Sequence, residues 1–75
     1  MDNGGILMAS FAQNLKFYRE QKNLSQEELA LKARLGAKII EKYENGEQIP
    51  TTQTILKLST VLDVPASVLT TDTKE

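Results

Sequence analysis

The sequence predicts an all-α chain of five short helices folded as one domain, and three observations carry that expectation. Apolar residues recur at helical spacing, helix-capping residues stand ahead of those clusters, and turn-forming residues (Asn23, Gly36, Asn45-Gly46, Pro50, Pro65) separate them. In 75 residues such a domain has a thin core. Oligomerisation is therefore the natural extra source of stability.

Residues 1–9 are expected to form a flexible tail, in which Gly4-Gly5 precede a short apolar patch, Ile6-Leu7-Met8. The first helix is expected to begin after Ser10, a good N-cap residue, and to run to about Lys22. Phe11, Leu15 and Tyr18 fall on one face of it. Arg19 lies beside that stripe, Asn23 ends the helix and Leu24 fills the turn.

Ser25-Gln26-Glu27-Glu28 reads as a capping box, so a second helix should run from Gln26 to about Ala33. A third, from Ala37 to about Glu44, has Gly36 in the N-cap position. Asn45-Gly46 stops it, since both residue types tolerate positive φ. Leu29, Ala30, Ala33, Leu35, Ile40 and Tyr43 line the inner faces of this pair, and the small Ala30 lets the two helices cross closely.

Residues 47–50 form a loop in which Pro50 biases Ile49 towards an extended backbone. Thr51 or Thr52 caps a fourth helix with Ile55, Leu58 and Leu62 inward, flanked by Leu56 and Val61. Asp63 and Pro65 end it. A short fifth helix, about Ala66 to Thr70, adds Val68 and Leu69 to Val64 just before it. Residues 71–75 are polar and expected to be disordered, which leaves residues 10–70 as the domain.

Composition removes whole classes of function. Without a cysteine there is no disulfide and no thiolate metal site, and the chain suits a reducing cytoplasm. Without a histidine the usual general base and the commonest zinc ligand are missing. With no glycine loop for phosphate either, neither an enzyme nor a metal or small-molecule cofactor is expected. No apolar run is long enough to span a membrane. The net charge of −1 counts against a nucleic-acid partner, yet Lys32, Arg34, Lys38 and Lys42 gather around the second and third helices.

The segments LSQEELA, IIEKYENGEQIP and TILKLSTVLDVPASVL, in that order and with these gaps, resemble the lambda-repressor-like (Cro-type, XRE) helix-turn-helix family over roughly Phe11 to Leu69. The resemblance implies a five-helix domain that lays its third helix in the major groove of double-stranded DNA, with the second across the backbone. It also implies site residues. Gln26 matches a phosphate contact, Ala37, Lys38 and Lys42 match residues facing base edges, and Asn45 and Gly46 match a backbone approach. Arg19 and Glu44 match a buried ion pair of the lambdoid repressors. A charge beside an apolar stripe is tolerable only when paired, which points the same way.

Other positions stay open between roles. Ile39 either touches a thymine methyl or packs inside. Glu41 either accepts from cytosine N4, repels phosphate or pairs with Lys38 or Lys42. Val64, Val68 and Leu69 are expected to supply a two-fold dimer contact.

The chain departs from the family pattern at three places. Arg34 stands at a turn position usually held by Gly and should need a left-handed backbone. Gly36 replaces a capping Ser or Thr, losing one phosphate contact. Glu47-Gln48 replace basic residues. The expected function is a homodimeric regulator of transcription, a repressor rather than an activator, on a pseudo-palindromic operator. With little chain outside the domain, its control is expected to come from its own concentration or a protein partner. The alternative is an antitoxin-like protein-interaction module with weak or no DNA binding.

Overall fold

Five helices appear in the expected order: α1 (Asn3–Gln21), α2 (Gln26–Ala33), α3 (Ala37–Glu44), α4 (Thr52–Leu62) and α5 (Ala66–Thr70). The computed structural model describes the backbone of residues 3–70 and the side chains of residues 11–70. The expected C-terminal tail, residues 71–75, lies outside the described residues.

The start of α1 differs from the sequence expectation. It begins at Asn3, so Ser10 lies inside the helix and does not cap it. Ile6 to Ala9 contain no proline and a single β-branched residue, so nothing there interrupts a helix. Gly4 and Gly5 stand in the first turn, where N–H groups lack helical partners in any case.

The other starts follow the sequence closely. Ser25 Oγ accepts from Glu28 N at 3.0 Å while Ser25 N donates to Glu28 Oε1 at 2.8 Å, closing the capping box of α2. Thr51, rather than Thr52, caps α4 by accepting from Thr54 N at 3.2 Å. Gly36 occupies the N-cap of α3 and offers no side-chain bond.

Helices α1 to α4 end in the same left-handed closure. Asn23, Arg34, Gly46 and Asp63 have φ of 58°, 60°, 77° and 59°. The N–H of the next residue then reaches back to an orphan carbonyl: Leu24 to Arg19, Leu35 to Ala30, Glu47 to Lys42 and Val64 to Ser59. Leu24, Leu35 and Val64 pack on the core, so three of the four closures are also hydrophobic plugs. Asn45 stays right-handed at φ −88°, so Gly46 alone supplies the positive φ that stops α3.

The core lies where α2 packs on α3 and α4, and α1 on α3 and α5. Leu15, Leu29, Ile40, Leu58, Leu62 and Leu69 are fully buried. Each such side chain contributes roughly 1.5–3 kcal/mol through removal from water. Phe11 meets Tyr43 edge to face, with ring centroids 5.9 Å apart. Asn14, which the sequence did not single out, donates from Nδ2 to the carbonyls of Val68 and Leu69 at 3.2 and 3.0 Å. Those carbonyls close α5, whose last turn has no helical partners to offer them.

One expected dimer residue is corrected. Leu69 has no exposed surface and belongs to the core, so it cannot touch a second copy of the domain. Leu69 packs into the core from α5, and Asn14 ties the end of that helix to α1. Val64 and Val68 remain half-buried.

Candidate nucleic-acid interface

The second and third helices form one rigid unit because small buried residues, Ala30 and Ala33, let them pack closely, with Leu29, Ile40 and Tyr43 filling the space between and beneath them. That packing fixes which side of α3 faces out. Ile40 and Tyr43 are buried, while Ala37, Lys38, Glu41, Lys42 and Asn45 are exposed.

At about 100° per residue, Lys38 and Asn45 lie on the outward midline, with Glu41 and Lys42 about 50° to either side. Ala37 sits at the edge on the Glu41 side. Gly36, Lys32 and Arg34 are exposed near the same turn. Of the seven residues expected at the interface, Gly36, Ala37, Lys38, Lys42 and Asn45 are exposed along α3 and its two ends, while Gln26 on α2 and Ile39 are half-buried. Ile39 packs against the core while keeping part of its surface accessible.

Gln26 opens α2 and is half-buried, with Nε2 donating to Glu44 Oε1 at 3.0 Å. Glu44 is held in turn by Arg19, whose Nε donates to Oε2 at 2.6 Å and whose Nη2 donates to Oε1 at 3.0 Å. The third arm of that guanidinium, Nη1, donates to the Leu24 carbonyl at 2.7 Å. Its hydrogen bonds to the Glu44 carboxylate hold the Arg19 pKa above its ordinary value against the opposing pull of burial. This network joins the end of α1, the start of α2 and the end of α3. Sequence placed Arg19 with Glu44, but nothing in local spacing could pair Gln26 with a carboxylate eighteen residues later.

At the start of α3, a Cβ built on Gly36 would meet only Ile39 Cγ1 at 3.8 Å, and the backbone there is extended. A serine or threonine therefore fits this position. Arg34 takes the left-handed backbone that its turn position demands, and its charge falls at the favourable, C-terminal end of α2. No helix among the described residues is long and apolar enough to cross a membrane.

Comparison with known proteins points one way. A family model described as Helix-turn-helix matches residues 15–69. A Methanococcus vannielii protein named for an inferred role as an HTH-type transcriptional regulatory protein is 38% identical over 64 residues, which is 85% of this chain. The chain spans about a fifth of that relative, 20% of its length. Among solved structures, the hypothetical transcription factor NHTF from Neisseria superposes with a TM-score of 0.86 at 29% identity, covering 91% of this chain and 78% of that one. The restriction-modification controller protein C.AhdI from Aeromonas hydrophila superposes at 0.80 with 35% identity, covering 83% and 94%.

Proposed function

The chain belongs to the helix-turn-helix family, and we propose that it binds double-stranded DNA as a regulator of transcription. One observation carries this reading: an exposed polar face of α3, with Lys38 and Asn45 on its midline, lies beside a Gln26 that Glu44 holds at the start of α2. Laid in the major groove, that face brings the two lysines to base edges or phosphates. Gln26, with one amide hydrogen engaged by Glu44, keeps its other hydrogen for a phosphate oxygen. Exposed N–H groups at Gly36 and the start of α3 add a phosphate site. Asn45 and Gly46 approach the backbone at the other end.

The chain acts as a cytoplasmic homodimer on a pseudo-palindromic operator. A single copy lacks the capping hydroxyl at Gly36 and carries Glu47-Gln48 where basic residues would add affinity. Repression is favoured over activation because it requires only occupancy. The transcription factor and the controller protein among its structural relatives support a regulatory role. No step of this function calls for catalysis or a cofactor, and a protein partner is one route to its control.

Selection from a random-sequence duplex library, at low and moderate salt, tests the proposal against a Lys38→Ala/Lys42→Ala variant. Enrichment of a two-fold symmetric site that the variant loses and salt weakens is the expected result. A folded protein that enriches nothing would overturn it and favour a protein-interaction module, the reading that the acidic pI of about 5.4, Gly36, Glu41 and Glu47 support.

A further inference from the structure

We infer that the buried Arg19–Glu44 pair is a positioning device for DNA binding: it locks the Gln26 amide so that Gln26 meets a phosphate as a donor that is already ordered. The inference rests on the DNA-binding reading above and adds the residues that set this one contact.

Its ground is a hydrogen-bond chain across three helix ends. Gln26 Nε2 donates to Glu44 Oε1 at 3.0 Å, and the same oxygen accepts from Arg19 Nη2 at 3.0 Å. Arg19 Nε donates to the other carboxylate oxygen at 2.6 Å, and Nη1 donates to the Leu24 carbonyl at 2.7 Å. The guanidinium is thereby fixed on three sides, and it fixes the carboxylate in turn.

A primary amide has a donor end and an acceptor end, and a carboxylate accepts only from the first. Turned over, Gln26 would set its own oxygen against Glu44 Oε1, acceptor against acceptor. Glu44 therefore chooses which end of the amide faces inward. The second Nε2 hydrogen remains for a phosphate beside the start of α2, where Ser25 and Glu27 are exposed.

Two features make that orientation decisive. Glu27 and Glu28 stand in the first turn of α2, so the partial positive charge of the helix end gives a phosphate little net attraction. The direction of the Gln26 N–H then carries the contact. The anchor is also neutral as a pair: a lone carboxylate this close would repel phosphate, and Arg19 cancels its charge.

A glutamine without an anchor must be immobilised on binding, which weakens affinity by up to about tenfold for such a side chain. A hydrogen bond to a charged group strengthens it by about tenfold or more. Locked in advance, Gln26 delivers the whole of that gain; unlocked, it delivers little.

The test is a double-mutant cycle on the full chain. Affinity for a selected duplex is measured for the unaltered protein, Gln26→Ala, Arg19→Met/Glu44→Leu and the triple variant, with thermal melts showing that each is folded. Gln26→Ala should weaken the unaltered protein about tenfold per half-site, and the apolar-pair variant by less than about threefold. The apolar-pair variant should itself bind about tenfold more weakly per half-site yet select the same base sequence, because phosphate contacts position without specifying. Arg19→Met/Glu44→Gln, which returns a carbonyl acceptor to Gln26, should bind more tightly than the apolar pair. NMR of the unaltered protein decides the matter where the apolar pair fails to fold. One Gln26 side-chain amide proton should lie downfield, bonded to the carboxylate, and stay there when duplex is added, while its twin moves.

Equal losses from Gln26→Ala in both backgrounds, full affinity in the apolar-pair variant, or an anchored proton released on adding duplex would each overturn the inference and leave DNA binding standing. If the unaltered protein selects no site at all, the DNA-binding reading fails and this one with it.

Discussion

Glu44 receives two prongs from Arg19, at 2.6 and 3.0 Å, in a site where the carboxylate side chain keeps 4% of its exposure and the guanidinium side chain 11%. The same Oε1 that takes Arg19 Nη2 also takes Gln26. A buried ion pair and Gln26, the first residue of α2 and a proposed phosphate contact, are therefore one hydrogen-bonded unit. Removing either charge strands the other in a dry place.

Arg19→Ala or Glu44→Ala should each lower unfolding free energy by roughly 3–5 kcal/mol. That is a large share of the roughly 5–15 kcal/mol that small domains possess. Replacing both residues together by apolar side chains of similar volume, Arg19→Met with Glu44→Leu, should recover most of the loss. Urea denaturation of the three proteins checks this, and a double variant as unstable as the single ones would show that the geometry of the pair matters more than its desolvation.

Arg34 and Gly46 hold the same left-handed backbone with opposite tolerance for it. Arg34→Gly should raise stability by about 0.5–1 kcal/mol, the relief of a strained φ offset by a freer unfolded chain. Gly46→Ala should lower it by about 1 kcal/mol even though the added methyl has open space around it. Thermal melts of both variants give the two signs directly.

Gly36→Ser should restore a side-chain cap to α3, since the added Cβ has only an ordinary contact with Ile39. The gain in stability is a few tenths of a kcal/mol. If the start of α3 binds phosphate, DNA affinity should rise as well; a stability gain without an affinity gain would detach that helix start from the DNA site.

Leu69→Ala should destabilise the domain by about 2–5 kcal/mol through a cavity next to α1. Val68→Asp, at a half-buried position, should instead shift a dimer towards monomer. Sedimentation equilibrium together with thermal melts separates the two effects. A Val68→Asp protein that remains dimeric would move the proposed dimer contact away from α5.

How much of this was legible beforehand varies with the range of the interaction. Ser25 and Glu28 sit three residues apart and close a local ring, so the start of α2 was readable from four letters. The left-handed Arg34 was readable through the family resemblance, whose pattern usually has a glycine at that turn position. Ser10 misled because an N-cap type is permissive, and no unfavourable residue before it stops the helix. The stop of α3 at Asn45-Gly46 was readable too, with Gly46 the one of the two that takes positive φ.

The exposed face of α3 followed from the inward spacing of Ile40 and Tyr43, yet Ile39 was undecidable from that spacing because it lies at the boundary of the face. Leu69 looked like surplus apolar surface in a chain this small. Asn14 gave no signal at all, since an asparagine in the middle of a helix is ordinarily solvated.

By itself the sequence determined the number of helices, most of their caps and turns, the pairing of α2 with α3, and the charges carried on the outer side of α3. These depend on hydrogen bonds and apolar periodicity within a few residues, and local geometry settles them. Only the tertiary structure decided that Leu69 is interior while Leu31 remains 79% exposed, that Asn14 ties down α5, and that Gln26 is oriented by Glu44. Those outcomes depend on groups up to 55 residues apart in the chain, whose approach is set by how whole helices share one small core.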